Sequence, residues 1–76
     1  ERPADSYTVK LLEQGVPKVS QKVGEEAVEV VVAANAEDGA RLASESGDLI
    51  YHLLVLLQAR GVPFGDVLRA LDERGK

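Results

Sequence analysis

Two groups of acidic residues have the types and the spacing that suit a divalent metal ion. The first group is Glu25-Glu26-x-x-Glu29, and the second is Glu45-x-x-Asp48. Carboxylates gathered closely repel one another unless a cation neutralises them. Such hard oxygen ligands suit Mg²⁺ or Mn²⁺ rather than zinc, and magnesium commonly binds a few carboxylates together with substrate phosphates. The pattern therefore indicates a metal site that works on a phosphate-rich ligand.

The alternative interpretation is that these acids form only a solvated helical face, on which Glu25 pairs with Lys22 at i,i+3. The neighbouring residues weigh against it. Glu29 lies inside Ala-Val-Glu-Val-Val-Val-Ala, and Asp48 directly precedes Leu-Ile-Tyr-His-Leu-Leu. An unpaired charge beside such apolar stretches is unfavourable. Two acids placed in this way favour a metal site, while the interpretation as a solvated charged face stays open.

Three further polar residues share the faces of these acids. Lys18 and Lys22 fall within the same arc of about 100° as the first acidic group, so they could meet outer phosphate oxygens. His52 lies one turn after Asp48, on a stripe that also holds Arg41. There it could contact phosphate or orient an acid, although a lone histidine in an apolar helix is more often a hydrogen-bonded core residue.

Turn-forming residues divide the chain into four segments that are each long enough for a helix. The predicted helices are residues 5–14, with Asp5 or Ser6 as N-cap and Val9 and Leu12 on one side, then 17–36, 37–60 and 63–74. The valines of the second segment favour a strand by propensity, but its length without a turn signal favours a helix. If the middle helices pack antiparallel, Glu29 comes opposite Glu45. The predicted fold is all-α, a bundle of about four helices in a single domain covering residues 1–76.

The length and composition of the chain limit its possible partners, location and oligomeric state. A chain of 76 residues without Cys has a marginal core and no disulfide, so a metal or a second subunit must add stability, and we expect a homodimer that completes the bundle. A net charge of −4 argues against nucleic acid or an anionic membrane as partner. The apolar runs are too short to span a bilayer and no leader opens the chain, so we expect a cytoplasmic protein. The chain begins with Glu1 rather than Met, and we expect a native N-terminal segment before it.

The paired acidic motif resembles the metal-binding signature of the all-alpha nucleoside triphosphate pyrophosphatase superfamily, which includes MazG-like enzymes and dimeric dUTPases. Three stretches further resemble the phosphoribosyl-ATP pyrophosphohydrolase family of histidine biosynthesis, whose members usually carry an additional N-terminal stretch. These stretches are Asp5-Ser6-Tyr7-Thr8 to Leu12, Lys22-Val23-Gly24-Glu25-Glu26-Ala27-Val28-Glu29-Val30 and Asp48-Leu49-Ile50-Tyr51-His52-Leu53-Leu54.

The resemblance implies hydrolysis of the α–β phosphoanhydride of phosphoribosyl-ATP to phosphoribosyl-AMP and pyrophosphate by a helical dimer. It makes Glu26, Glu29, Glu45 and Asp48 the metal ligands, while Glu25 binds metal or accepts the proton of the attacking water. Without Cys or a Ser-His arrangement for a covalent intermediate, direct attack by water remains. The alternatives are a house-cleaning pyrophosphatase for other nucleoside triphosphates and a noncatalytic helical dimerisation module.

Overall fold

The computed structural model describes residues 3–75, with side chains from Ser6 onward, and in this part of the chain all regular structure is helical. The helices are α1 (Pro3–Gln14), α2 (Val16–Ala36), α3 (Gly39–Ala59) and α4 (Phe64–Glu73). The predicted all-α class and the four helices are therefore confirmed. Residues 1, 2 and 76, which the predicted domain included, lie outside the described residues.

Glycine, proline and aspartate set the helix boundaries. Gly15, at φ 89°, is the single residue between α1 and α2, a left-handed conformation that favours glycine. Asp38 caps α3, because its Oδ1 accepts a 2.9 Å hydrogen bond from the backbone N–H of Arg41. The predicted capping of α1 by Asp5 or Ser6 is wrong, since the helix already begins at Pro3. Proline fits a first helical turn, where its missing N–H has no partner to lose.

A small core lies where α1, α2 and α3 meet. Each helix contributes one buried residue, Leu11, Val19 and Val55, with exposures of 3%, 0% and 3%. Leu12, predicted to face inward, is partly buried against this core. Val9 is 51% exposed, and the buried residue of α1 is Leu11. The core is marginal in size, as expected for so short a chain.

The apolar residues of α3 and α4 are only partly covered by their own chain. On α3, Ile50, Leu53 and Leu54 are 57%, 36% and 41% exposed. Among the described residues, α4 makes at most a marginal contact with another helix, and its Phe64 and Leu68 are 48% and 54% exposed. Within residues 3–75, no helix combines the length and apolar character needed to cross a membrane.

Candidate metal centre

Three carboxylates from two helices come together in the structure. Glu26 of α2 and Glu45 and Asp48 of α3 each offer one oxygen, and these oxygens all lie within 4.8 Å of one another. The short connection at Glu37 and Asp38 makes α2 and α3 run antiparallel, which brings residues equally distant from it side by side. Glu29 lies outside this group and is exposed, although its charge reaches Arg41 of α3. Glu26, Glu45 and Asp48 form the three-acid group. In this group the partner of Glu45 from α2 is Glu26 and not Glu29.

The helical repeat explains why these acids face inward. Glu26 lies seven residues after buried Val19 and seven before buried Ala33, so the three share one side of α2. On α3, Glu45 lies seven residues before buried His52, a spacing of nearly two full turns. The core residues thus fix the rotation of each helix, and that rotation aims the acids at one another.

Burial is graded across the three-acid group. Glu45 is only 7% exposed, Glu26 is half-buried and Asp48 is exposed. A buried carboxylate requires a partner. Glu45 has one in Arg41, whose Nη2 lies 2.7 Å from Oε2 of Glu45. The group therefore has a buried end and an end that is open to solvent.

Arg41 lies among carboxylates from both helices. Besides Glu45, its Nε lies 3.4 Å from Oε1 of Glu37. The hydrogen bond to Glu37 raises the pKa of Arg41, and the negative charges of Glu45, Glu37 and Glu29 raise it further. The sequence placed Arg41 on the stripe of the α3 acids but gave it no role. The signal that was available is its i,i+4 spacing to Glu45.

Glu25, the predicted proton acceptor, lies beside the three-acid group with its side chain 51% exposed. Gln21 Nε2 donates a 2.9 Å hydrogen bond to its Oε2, and Lys22 Nζ lies 3.5 Å from its Oε1. The hydrogen bond from Gln21, followed by the charges of Lys22 and Lys18, lowers the pKa of Glu25. Glu25 is therefore ionised at neutral pH, and its lowered pKa makes it a weaker base than an ordinary carboxylate.

The two lysines predicted to bind substrate differ in position. Lys22 is partly buried, and its Nζ lies 4.0 Å from Oε2 of Glu26 as well as close to Glu25. It directly borders the three-acid group. Lys18, one turn earlier, is exposed, and its charge reaches Glu25. Both remain predicted phosphate contacts.

His52, the third predicted substrate contact, is 6% exposed and bonded at both ring nitrogens. Nδ1 lies 2.7 Å from the backbone carbonyl oxygen of Asp48, which can only accept, so Nδ1 carries the proton. In the neutral ring Nε2 then accepts from the hydroxyl of Tyr7, 2.9 Å away. This geometry supports the interpretation of His52 as a hydrogen-bonded core residue, and its contact with substrate stays a prediction.

An aromatic cluster attaches α1 to α3 beside Asp48. The rings of Tyr7 and Tyr51 stack with centroids 6.0 Å apart, and the ring of His52 meets both edge-on at 5.7 and 5.2 Å. The hydroxyls of Thr8 and Tyr51 are hydrogen bonded to each other. The sequence did not reveal the parts of Tyr7 and Thr8 in this cluster, because a contact between α1 and α3 leaves no periodic signal in the chain.

The chemistry of the three-acid group fits magnesium. Its three donors are carboxylate oxygens, the ligands that Mg²⁺ and Mn²⁺ prefer, and they come from two rigid helices. The one buried acid, Glu45, is already paired with a cation, Arg41. The exposed side leaves room for phosphates to complete the coordination of an ion.

The chain is similar to one protein family and to several known proteins. The family described as "Phosphoribosyl-ATP pyrophosphohydrolase" matches residues 1–75. A phosphoribosyl-ATP pyrophosphatase of Rhizorhabdus wittichii is 53% identical over 72 residues, which are 95% of this chain and 68% of that protein. One of Pyrobaculum arsenaticum is 54% identical, over 95% of this chain and 77% of that protein.

Some relatives are longer. The histidine biosynthesis bifunctional protein HisIE of Xanthomonas campestris pv. campestris is 53% identical over all 76 residues, and the chain spans only 37% of its length. The family match nevertheless runs along almost the whole sequence, residues 1–75. The chain therefore belongs to the phosphoribosyl-ATP pyrophosphohydrolase family.

Proposed function

We propose that this chain, as a single domain of residues 1–76, hydrolyses phosphoribosyl-ATP to phosphoribosyl-AMP and pyrophosphate, an early step of histidine biosynthesis. The observation that carries the proposal is the group of Glu26, Glu45 and Asp48, whose oxygens lie within 4.8 Å of one another in a chain of this family. The substrate follows from the names of relatives that are more than half identical. The absence of Cys is in keeping with a cytoplasmic site of reaction.

The cofactor of the proposed reaction is Mg²⁺, for which Mn²⁺ can substitute. Glu26, Glu45 and Asp48 would hold the ion, and Glu29, an exposed residue of α2 whose charge reaches Arg41, would join them as a fourth ligand. A bound divalent ion would neutralise phosphate charge and lower the pKa of a coordinated water. The number of carboxylates suits magnesium, which usually leaves positions for water and for substrate phosphates.

The chain's own residues then bind the polyphosphate and remove a proton. Lys22, beside Glu25 and Glu26, and the exposed Lys18 would bind phosphate oxygens from α2. Glu25 is ionised and borders the three-acid group, so it would accept the proton of the attacking water. His52 reaches a phosphate only if the Tyr7 hydroxyl leaves Nε2, so those two contacts exclude each other.

The protein would act as a homodimer. The exposed apolar side chains of α3 and α4, among them Leu54 and Phe64, line an open cavity of about 380 Å³ at the end of α3. A single chain of 76 residues has only a marginal core. Burying these apolar side chains against a second copy would enlarge that core. This surface is separate from the three-acid group.

The test is pyrophosphate release from phosphoribosyl-ATP beside a panel of ordinary nucleoside and deoxynucleoside triphosphates, with and without Mg²⁺. We expect magnesium-dependent release from phosphoribosyl-ATP and little from the panel. Release mainly from the panel would favour the house-cleaning alternative. No release from any of them, together with melting curves that Mg²⁺ leaves unchanged, would favour a noncatalytic dimerisation module.

The matched variants are Asp48→Asn and, as control, Asp72→Asn. Both remove one exposed carboxylate from a helix with little change of shape, but Asp72 lies on α4, away from the three-acid group. We expect Asp48→Asn to lose most of the turnover and Asp72→Asn to keep it. Equal turnover in the two variants would remove Asp48 from the site.

A further inference from the structure

Arg41 is the cation that the sequence-based assignment left without a function. It lies one turn before Glu45 on α3, and its Nη2 is 2.7 Å from Oε2 of that carboxylate. Its side chain is 55% exposed, whereas that of Glu45 is 10% exposed. The guanidinium thus occupies the solvent side of the one buried acid of the three-acid group.

This position makes Arg41 a competitor of a divalent ion. Both cations would neutralise the same carboxylate, and positive charges a few ångströms apart repel each other. The side chain of Arg41 can leave Glu45 without a change of the backbone, because the backbone N–H of Arg41 donates a separate 2.9 Å hydrogen bond to Oδ1 of Asp38. Its long side chain is more than half exposed and can swing toward solvent, where a substrate would arrive.

A guanidinium released from Glu45 still has Glu37 beside its Nε, and its Nη2 becomes available to a new anion. Its fork of N–H donors matches the oxygens of phosphate and binds them in pairs. Lys18 and Lys22 both project from α2, so the opposite helix would otherwise offer no assigned cation to the polyphosphate. Arg41 would supply that charge from α3, on the other side of the three-acid group.

We propose that Arg41 exchanges partners when substrate binds: it neutralises Glu45 while the site lacks metal, and it moves to a phosphate oxygen once a divalent ion takes Glu45. The inference deepens the proposed function and rests on it, since it requires a metal at Glu45 and a polyphosphate substrate. It makes Arg41 a substrate-binding residue. An ordinary surface ion pair at i,i+4 would instead change helix stability slightly and no binding constant.

The experiment measures two affinities of the purified full chain. The dissociation constant of Mn²⁺ alone is measured by electron paramagnetic resonance of free Mn²⁺, and that of pyrophosphate at saturating Mn²⁺ by calorimetry. The variants are Arg41→Gln and Arg41→Lys. The matched control is Arg69→Gln, which breaks the comparable ion pair of Arg69 with Asp66 on α4.

If Arg41 exchanges partners, the Arg41→Gln variant should change its affinities for Mn²⁺ and for pyrophosphate in opposite directions. Arg41→Gln should bind Mn²⁺ about three- to tenfold more tightly, because a competing charge is gone, and pyrophosphate about tenfold more weakly, because a phosphate contact is gone. Arg41→Lys keeps the charge and should bind Mn²⁺ as the wild type does, with a smaller loss for pyrophosphate. Arg69→Gln should change neither value. Circular dichroism melts check that each variant is folded.

Three results would overturn the inference. If Arg41→Gln leaves both affinities unchanged, Arg41 is a surface ion pair. If Arg41→Gln binds both Mn²⁺ and pyrophosphate more weakly, Arg41 only holds Glu45 in place for the metal. If the variant binds Mn²⁺ more tightly but pyrophosphate as the wild type does, Arg41 does not bind substrate. A wild type that binds Mn²⁺ and hydrolyses phosphoribosyl-ATP leaves the proposed function standing in each of these cases, whereas a wild type that binds no Mn²⁺ rejects both proposals.

Discussion

The exchange of Asp48 for Asn should make the metal-free protein more stable and the magnesium-bound protein less stable. Asp48 is exposed, and its oxygen lies within 4.8 Å of oxygens of both Glu26 and Glu45. Two unit charges 4.8 Å apart repel by about 0.9 kcal/mol in water. At that separation, removing both repulsions is worth about 1.7 kcal/mol, and Lys22 beside Glu26 and dissolved salt reduce this to a net gain of about 1 kcal/mol.

Magnesium reverses the order of stability. An ion that binds only the folded wild type at about 100 times its dissociation constant adds about 2.7 kcal/mol to the free energy of unfolding. The Asn variant lacks one charged ligand and should gain far less. For a chain of this size, 1 kcal/mol corresponds to about 4–8 °C in Tm. The variant should therefore melt several degrees above the wild type in EDTA and several degrees below it in saturating Mg²⁺.

The assay is thermal unfolding followed by circular dichroism, at one protein concentration because dimerisation would also shift Tm. Asp72→Asn is the control and should follow the wild type in both buffers. Adding NaCl should shrink the advantage of Asp48→Asn in EDTA, since salt screens exposed charges. If the variant is no more stable than the wild type without metal, or gains as much from Mg²⁺, the reasoning about these three carboxylates is refuted.

Three other changes probe the rest of the molecule. Tyr7→Phe removes the hydrogen bond to buried His52 and should lower the free energy of unfolding by about 1–2 kcal/mol in urea titrations; an unchanged midpoint would contradict this contact. The pKa of Glu25 is lower in the folded protein than in the unfolded chain. The ionised side chain therefore adds stability at pH values above its pKa in the unfolded chain, and this stability is lost as the pH falls through its pKa in the folded protein. Gln21→Ala removes the main cause and should raise that pKa in an NMR titration, whereas an unmoved pKa would show that the bond is absent. Leu54→Glu adds charge to the exposed apolar side of α3 and should yield monomers by sedimentation, while persistent dimers would place the interface elsewhere.

The sequence carried most of the secondary structure because local signals set it. Gly15 and Gly61 mark the ends of α1 and α3, and both adopt positive φ. The helix at the valines of α2 followed from length rather than from residue preference. The start of α1 was misplaced because Asp5 and Ser6 are common caps, but Pro3 begins the helix.

The site was predictable as a pair of acidic helical faces but not in detail. Glu25, Glu26 and Glu29 fall within one arc, so spacing alone cannot say which faces α3. The packing of Val19 and Ala33 decides it in favour of Glu26. That rotation depends on tertiary contacts, which a single sequence does not display.

The most direct test of the central claim is a crystal structure of the protein with Mn²⁺, examined for the anomalous signal of the ion. We expect a manganese peak between Glu26, Glu45 and Asp48, with carboxylate oxygens of all three bound to the ion. A protein that binds Mn²⁺ elsewhere, or crystals soaked in millimolar Mn²⁺ with no peak at these residues, would contradict it.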